Sequence, residues 1–499
     1  MRFARHTSVT RATIAFCAIA AALVVSLGAD QGRQATPPPA ATTQGPDRSK
    51  PPVPGPTPAL KVPAIEKRAL SNGLPVWIVR MPKVPVVDVT LLVSSGSSAD
   101  PIGKFGLANY TTSLMMEGAG ARSTLELSDA AEFLGAQLSA GSSWDASTVR
   151  LHLAASKIDD GLALMADVAL RPTFAQADLD RVRKTRLTAL LQAKDNPAAL
   201  IGLAYPRVLY GPTHRFGTAT GGTETSLTSF TSADLKGFHD AIFQPANAHL
   251  LVVGDVTAAD VLPKFEKAFG EWKNTAPAPK AVIPAASQHG ARTIYVVDKP
   301  KAAQSQIRIG WIGVARTSPD FFALQVLNTI LGGSFTSRLN QNLREKHGYT
   351  YGASSAFDMR MAAGPFFASA GVQTDKTGES VREFFNELDA IRQPMPDEEL
   401  RRGKNLITLS FPGSFETTGT MAARLGDLII YGLPDTYFNE YMTKIQAVTA
   451  ADLTRVAQQY IQPDHFAVVI VGDLAQIEAP LKALNLGPLK VLTADDVMR

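Results

Sequence analysis

PANAHLLVVGDV, residues 245–256, and PDHFAVVIVGDL, residues 463–474, decide how this chain is built. Pro245 and Pro463, Gly254 and Gly472, and Asp255 and Asp473 all stand 218 residues apart. The preceding segments repeat as well: TSADLKGFHDAIFQ (231–244) answers TAADLTRVAQQYIQ (449–462). Each pair reads as a capped amphipathic helix running into a short apolar strand that ends at a Gly-Asp turn. Further upstream, VDVTLLVSSGS (87–97) resembles SQIRIGWIGVA (305–315), a strand with a long helix after it in both halves. Agreement of helix, strand and turn at one offset points to duplication. The body is two copies of one α/β unit.

The 499 residues suit two domains of somewhat over 200 residues each, and 45% hydrophobic with 19% charged residues is a globular composition. Domain boundaries follow from local composition. Residues 1–29 join basic, acid-free MRFARHTSVTR to apolar ATIAFCAIAAALVVSLGA and read as a secretory signal peptide. Left uncleaved, that apolar run is just long enough to act as an anchor. Residues 30–60, rich in Pro, Ala, Thr and Gln, read as an extended tether. A first domain over 61–273 and a second over 291–499 are then joined by an Ala/Pro-rich hinge, 274–290. Cleavage would remove Arg2, Arg5 and Arg11 but no acid, lowering the net charge of +4 to about +1. Such a balance gives no ground for a nucleic-acid partner, nor for a membrane one unless the signal segment stays in place. The only cysteine, Cys17, lies within the signal segment, so the mature chain has no thiol chemistry.

GLANYTTSLMMEG, 106–118, reads as a helix with Leu107, Tyr110, Leu114 and Met115 on its buried stripe. Histidines at 109 and 113 would lie one turn apart and chelate zinc, with a Glu at 112 beside them as general base. The chain has Asn109, Thr112 and Ser113 instead.

Together with SDAAEFLGAQLSAGSSWDASTVRLHL (128–153), ALMADVALRPTF (163–174), AKDNPAAL (193–200) and both VVGD-type strands, this stretch resembles the pitrilysin/insulinase-type metallopeptidases. Their inverted zinc motif is His-x-x-Glu-His. The resemblance covers about residues 61–485, including the duplication. It implies an α+β fold of two tandem homologous α/β domains, like the mitochondrial processing peptidases, each a mostly antiparallel sheet packed with helices. It also implies a further zinc ligand, a Glu whose position falls here on Ala189. An amide, two hydroxyls and a methyl replace the whole metal site, so no zinc or other cofactor is expected in this chain.

Nothing else replaces that chemistry. His152, His214, His239, His249, His289, His347 and His465 show no i,i+4 pairing, and neither a nucleophile elbow nor a phosphate loop occurs. ELRRGKN (399–405) reads as a solvated helix face, and Trp144 and Asp145 sit in a strand-turn-strand stretch without an assigned role.

SFTSRLNQNLREKHGYTYGASS (334–355) reads as a helix from Ser337 to His347, stopped by Gly348 and followed by a strand. Arg344 and Tyr351 lie seven residues apart across that stop. Their order resembles the family's second-half Arg/Tyr pair, which implies a substrate-holding cation and a hydroxyl donor for the scissile carbonyl. Both residue types suit those tasks. Tyr349, on the same strand face, is the other candidate for the tyrosine.

An empty first half and an equipped second half resemble the zinc-free subunit of a two-subunit bacterial peptidase. The resemblance implies a homologous zinc-bearing subunit as partner and extended peptides as substrates. A catalytically silent scaffold or peptide-binding protein of the same fold is the alternative. The expected location is periplasmic or secreted, with an inner-membrane anchor if the signal segment is retained.

Overall fold

The computed structural model describes residues 60–275 and 277–498. The expected signal peptide, 1–29, and all but the last residue of the tether lie outside the described residues. The first half supplies β1 (Glu66–Ala69), β2 (Pro75–Arg80), β3 (Val86–Val93), the short hairpin of β4 (Gly118–Ala119) and β5 (Arg122–Ser123), β6 (Gln137–Ser142), β7 (Ser147–Ala154) and β8 (Ala248–Gly254). The second supplies β9 (Thr293–Asp298), β10 (Gln304–Ile312), β11 (Thr350–Phe357), β12 (Pro365–Gln373), β13 (Ala467–Gly472) and β14 (Leu489–Leu492).

Two six-stranded sheets result, in the orders β1-β2-β8-β3-β7-β6 and β11-β12-β10-β13-β9-β14. Read from the opposite end, the second repeats the first: β9, β13, β10, β12 and β11 stand where β2, β8, β3, β7 and β6 do. Only the edge strands β1 and β14 break the repeat, β1 pairing antiparallel and β14 parallel. Both sheets are mostly antiparallel, and the fold is α+β.

The two repeated apolar runs become β8 and β13, interior strands paired on both sides. All of β13 is buried, and all of β8 except half-buried His249. Burial on both faces explains why these strands lack polar alternation. Capping boxes start the helices that lead into them: Thr231 with Asp234 for Ser232–Ile242, and Thr449 with Asp452 for Ala450–Tyr460.

One face of each sheet packs on helices of its own half. The other face takes a helix from the opposite half. Helix Pro197–Tyr210 leaves the first half and lies on β10 and β13, burying Leu200, Ile201 and Ala204 against Val469 and Val471. Helix Thr418–Ile430 makes the return exchange onto β3 and β8, where Met421, Leu425 and Leu428 meet Leu92, Leu251 and Val253. Gly310 allows the first crossing, since a Cβ there would lie 2.1 Å from the Phe366 carbonyl oxygen and 2.6 Å from the Tyr205 hydroxyl. The connection between the halves is pinned along both: the Ile312 N–H donates to Gln288 Oε1 at 3.1 Å, and His214 Nε2 lies 2.9 Å from the Pro284 carbonyl.

Buried Tyr205 donates its hydroxyl to the Phe366 carbonyl at 2.6 Å, tying the crossing helix to β12. Tyr205→Phe leaves that carbonyl oxygen without the hydroxyl. The expected loss is about 1–3 kcal/mol, read as a lower midpoint in urea with an unchanged slope. An unchanged midpoint would show that this bond does not hold the crossing in place.

Candidate active site

The zinc-type helix of the first half is Leu107–Leu114, with Leu107, Ala108, Tyr110, Thr111, Thr112 and Leu114 buried. It starts after Gly106 at φ 103°, where a Cβ would meet the Gly222 Cα at 2.7 Å, so only glycine fits. Asp100 holds the entry, accepting the Gly106 and Ala108 N–H groups, each at 2.7 Å. Behind it, the Arg215 guanidinium donates to Asp100 at 2.7 Å and to the carbonyls of Ser97 and Thr218 at 2.6 and 2.9 Å. Burial pushes the Asp100 carboxyl up, against the opposing pull of Arg215 and the two amides.

Trp144 belongs to this support. Two guanidiniums lie over its ring, that of Arg215 at 4.8 Å and that of Arg360 at 4.1 Å from the centroid. Asp145 accepts the Met361 N–H at 3.0 Å. Both residues fasten the β6–β7 turn of the first half to the second half. Their sequence context marks a turn but gives no hint of a partner some 200 residues away.

At the metal-motif positions the polar groups face one another and an arginine. Thr112 turns its hydroxyl back onto the carbonyls of Ala108 and Asn109, at 3.1 and 3.2 Å, and Ser113 onto that of Asn109 at 3.0 Å. Arg186, on helix Gln176–Ala193, reaches across and donates to Asn109 Oδ1 at 2.8 Å, the Asn109 carbonyl at 3.3 Å and Ser113 Oγ at 2.5 Å. Its guanidinium lies 4.8 Å from the centre of the Tyr110 ring. Burial holds its pKa below the usual value, with only Tyr110 acting the other way. Ala189, expected where the family's distal ligand stands, is exposed one turn further along that helix. This donor set does not suit zinc: neutral amide and hydroxyl oxygens are poor ligands, and a fixed cation bridges the two motif positions. Sequence reading missed Arg186, because nothing in RVRKTRL (181–187) separates it from its exposed neighbours.

The second half presents its pair differently. Helix Arg338–Asn340 widens into a π-helical turn, Gln341–Lys346, that carries Arg344. Gly348, at φ 66°, reverses the chain, and its N–H donates to the Arg344 carbonyl at 3.0 Å. Arg344 is half-buried, with its guanidinium 4.6 Å from the exposed Phe335 ring and 3.2 Å from the Glu345 carboxylate.

Between Thr350, opposite Val372, and Ala353, opposite Ala370, the edge strand β11 holds one residue more than β12. This is a β-bulge. Thr350 fills it, donating its hydroxyl to the Gly371 carbonyl at 2.7 Å and accepting the Gly352 N–H at 3.1 Å. Asn340 Oδ1 accepts the Ala353 N–H at 3.2 Å and fixes the bulge to the helix. Simple alternation would send Tyr351 inward with Ala353 and Ser355. The bulge turns it out instead, 90% exposed.

The expected common face of Tyr349 and Tyr351 is therefore corrected. Tyr349 precedes the strand, stacks on His347 at 4.9 Å and packs against the second core. Arg344 and Tyr351 sit on adjacent elements, and no hydrogen bond or ring contact joins them. The histidines are dispersed: His152 pairs with Asp88 at 2.9 Å, and His239 lies 2.9 Å from the Ala169 carbonyl. Among the described residues, no group of three His, Cys, Asp or Glu is placed to hold a metal.

Residues 76–205 match the family Insulinase (Peptidase family M16), and residues 229–407 match Peptidase M16 inactive domain. Together they cover more than half of the chain. This chain belongs to the insulinase family of peptidases. An uncharacterized zinc protease of Streptomyces coelicolor is 23% identical over 403 residues, covering 80% of this chain and 87% of that one. A peptidase M16 inactive domain from Pseudomonas fluorescens superposes with a TM-score of 0.76 at 25% identity, covering 82% of this chain and 98% of that one. A protease from Helicobacter pylori gives 0.75 at 23% identity, covering 82% and 100%. Within this insulinase-family fold, Asn109, Ser113 and Arg186 form a hydrogen-bonded cluster.

Proposed function

We propose that this chain is the zinc-free subunit of a two-subunit metallopeptidase that degrades peptides, with Arg344 and Tyr351 completing the active site of a homologous zinc-bearing partner. The supporting observation is the contrast between the halves. An arginine bridges the first half's metal-motif positions, while a bulge in the second holds a tyrosine hydroxyl out from an edge strand. Zinc bound in the partner would supply the activated water. From this side, the Tyr351 hydroxyl donates to the substrate carbonyl oxygen as negative charge develops there, and the Arg344 guanidinium holds the substrate. The edge strands β6 and β11 each have an unpaired side within their sheets, suited to an extended peptide adding as a further strand.

The proposed location is periplasmic or secreted, resting on the sequence of residues 1–29. No helix among the described residues is long and apolar enough to cross a membrane.

Metal analysis and a peptide-cleavage assay on the purified chain alone test the zinc-free assignment. Zinc far below one per chain and no cleavage are expected. About one zinc per chain, with activity lost on its removal, would overturn the proposal.

A further inference from the structure

We propose that Arg186, seated between Asn109 and Ser113, is a recognition site for a peptide carboxylate. This deepens the reading above by naming what the first half binds, and its test uses this chain alone, apart from the Arg344 and Tyr351 experiments.

The guanidinium is half-buried, and its three hydrogen bonds go to uncharged oxygens. No carboxylate among the described residues forms an ion pair with it. Arg215 and Arg360, by contrast, each meet an aspartate. Of the five N–H groups of Arg186, the Nε–H donates to no acceptor among the described residues. Asn109 adds to the same character: its Oδ1 is taken by Arg186, which leaves its Nδ2 group as a donor beside the cation.

A partly desolvated, donor-rich spot of fixed positive charge fits a ligand that only accepts and carries negative charge. A carboxylate matches it in sign and can accept from the Nε–H and from the neighbouring Asn109 amide. The helix that carries Asn109 and Ser113 packs against β6, the edge strand with an unpaired side. A peptide paired along β6 would run beside the helix against which Arg186 is seated. The carboxylate is either the peptide's C-terminus or an acidic side chain.

Fluorescence anisotropy with a labelled, unstructured Gly/Ser/Ala decapeptide tests this in three forms. One has a free C-terminus, one a C-terminal amide, and one the amide plus a single internal Glu. The wild-type chain is expected to bind the free acid, the Glu peptide or both about 10- to 100-fold more tightly than the plain amide, the size of effect of a charged hydrogen bond. The form that gains identifies the source of the carboxylate. In Arg186→Met the preference should vanish; Arg186→Gln serves if the Met variant unfolds. Equal binding of all three peptides by the wild type, or a preference that survives loss of the guanidinium, would overturn the proposal.

Discussion

Tyr351→Phe is expected to lower kcat of the assembled two-chain peptidase about 10²–10³-fold, the usual cost of losing one oxyanion donor. The ring is 90% exposed and its hydroxyl takes part in no protein hydrogen bond among the described residues, so folding should be unaffected. KM should move little, because the donated bond strengthens only as charge develops on the carbonyl oxygen. Arg344→Ala differs in kind. It removes the cation proposed to hold substrate, and should raise KM as well as lower kcat. Tyr349→Phe is the control, since that ring is packed against His347 and the core rather than presented to solvent. Full activity in the Tyr351→Phe complex, or a loss in Tyr349→Phe instead, would take the oxyanion role away from Tyr351.

The second large effect lies in the first half. Arg215→Ala is expected to destabilise the fold by about 3–5 kcal/mol, because it leaves a buried carboxylate without its cation. The two side chains are 4% and 0% exposed, and Asp100 also caps the entry of helix Leu107–Leu114. The variant should regain stability as the pH is lowered. Burial already pushes the Asp100 carboxyl up, and loss of Arg215 raises it further. The folded state then holds a proton that the unfolded state has released. Stability therefore falls as pH rises from the unfolded value through the folded one. Adding Asp100→Asn should restore part of the loss by removing the unpaired charge. Thermal unfolding of the wild type and both variants at pH 5 and pH 8 checks both points. A Tm within about 2 °C of wild type for Arg215→Ala would show that the pair does not support the helix.

Much of this architecture is legible in the sequence because burial leaves a mark there. Apart from half-buried His249, the β8 and β13 runs are apolar since both faces are covered, and Thr231 and Thr449 announce their helices through capping boxes. Exchange of helices between the halves leaves no such mark. An apolar stripe on Pro197–Tyr210 would serve equally well against its own sheet. The bulge at Thr350–Ala353 is hidden for a related reason. TYGAS reads as plain alternation, and the extra residue exists only by comparison with the partner strand β12. At the metal-motif positions the sequence shows what is missing, Asn109, Thr112 and Ser113, but not what crosses over to meet them. Arg186 lies 77 residues from Asn109, and only folding brings the two helices together.

Reconstitution tests the central claim most directly. A homologous secreted chain with an intact His-x-x-Glu-His motif would be assayed on an unstructured peptide alone, with wild-type chain, and with Arg344→Ala/Tyr351→Phe chain, with complex formation verified by gel filtration. Cleavage is predicted to require the wild-type chain and to fall at least about 100-fold with the double variant, although the complex still forms. Equal cleavage by the partner with and without this chain, or by the wild-type and double-variant complexes, would contradict the account.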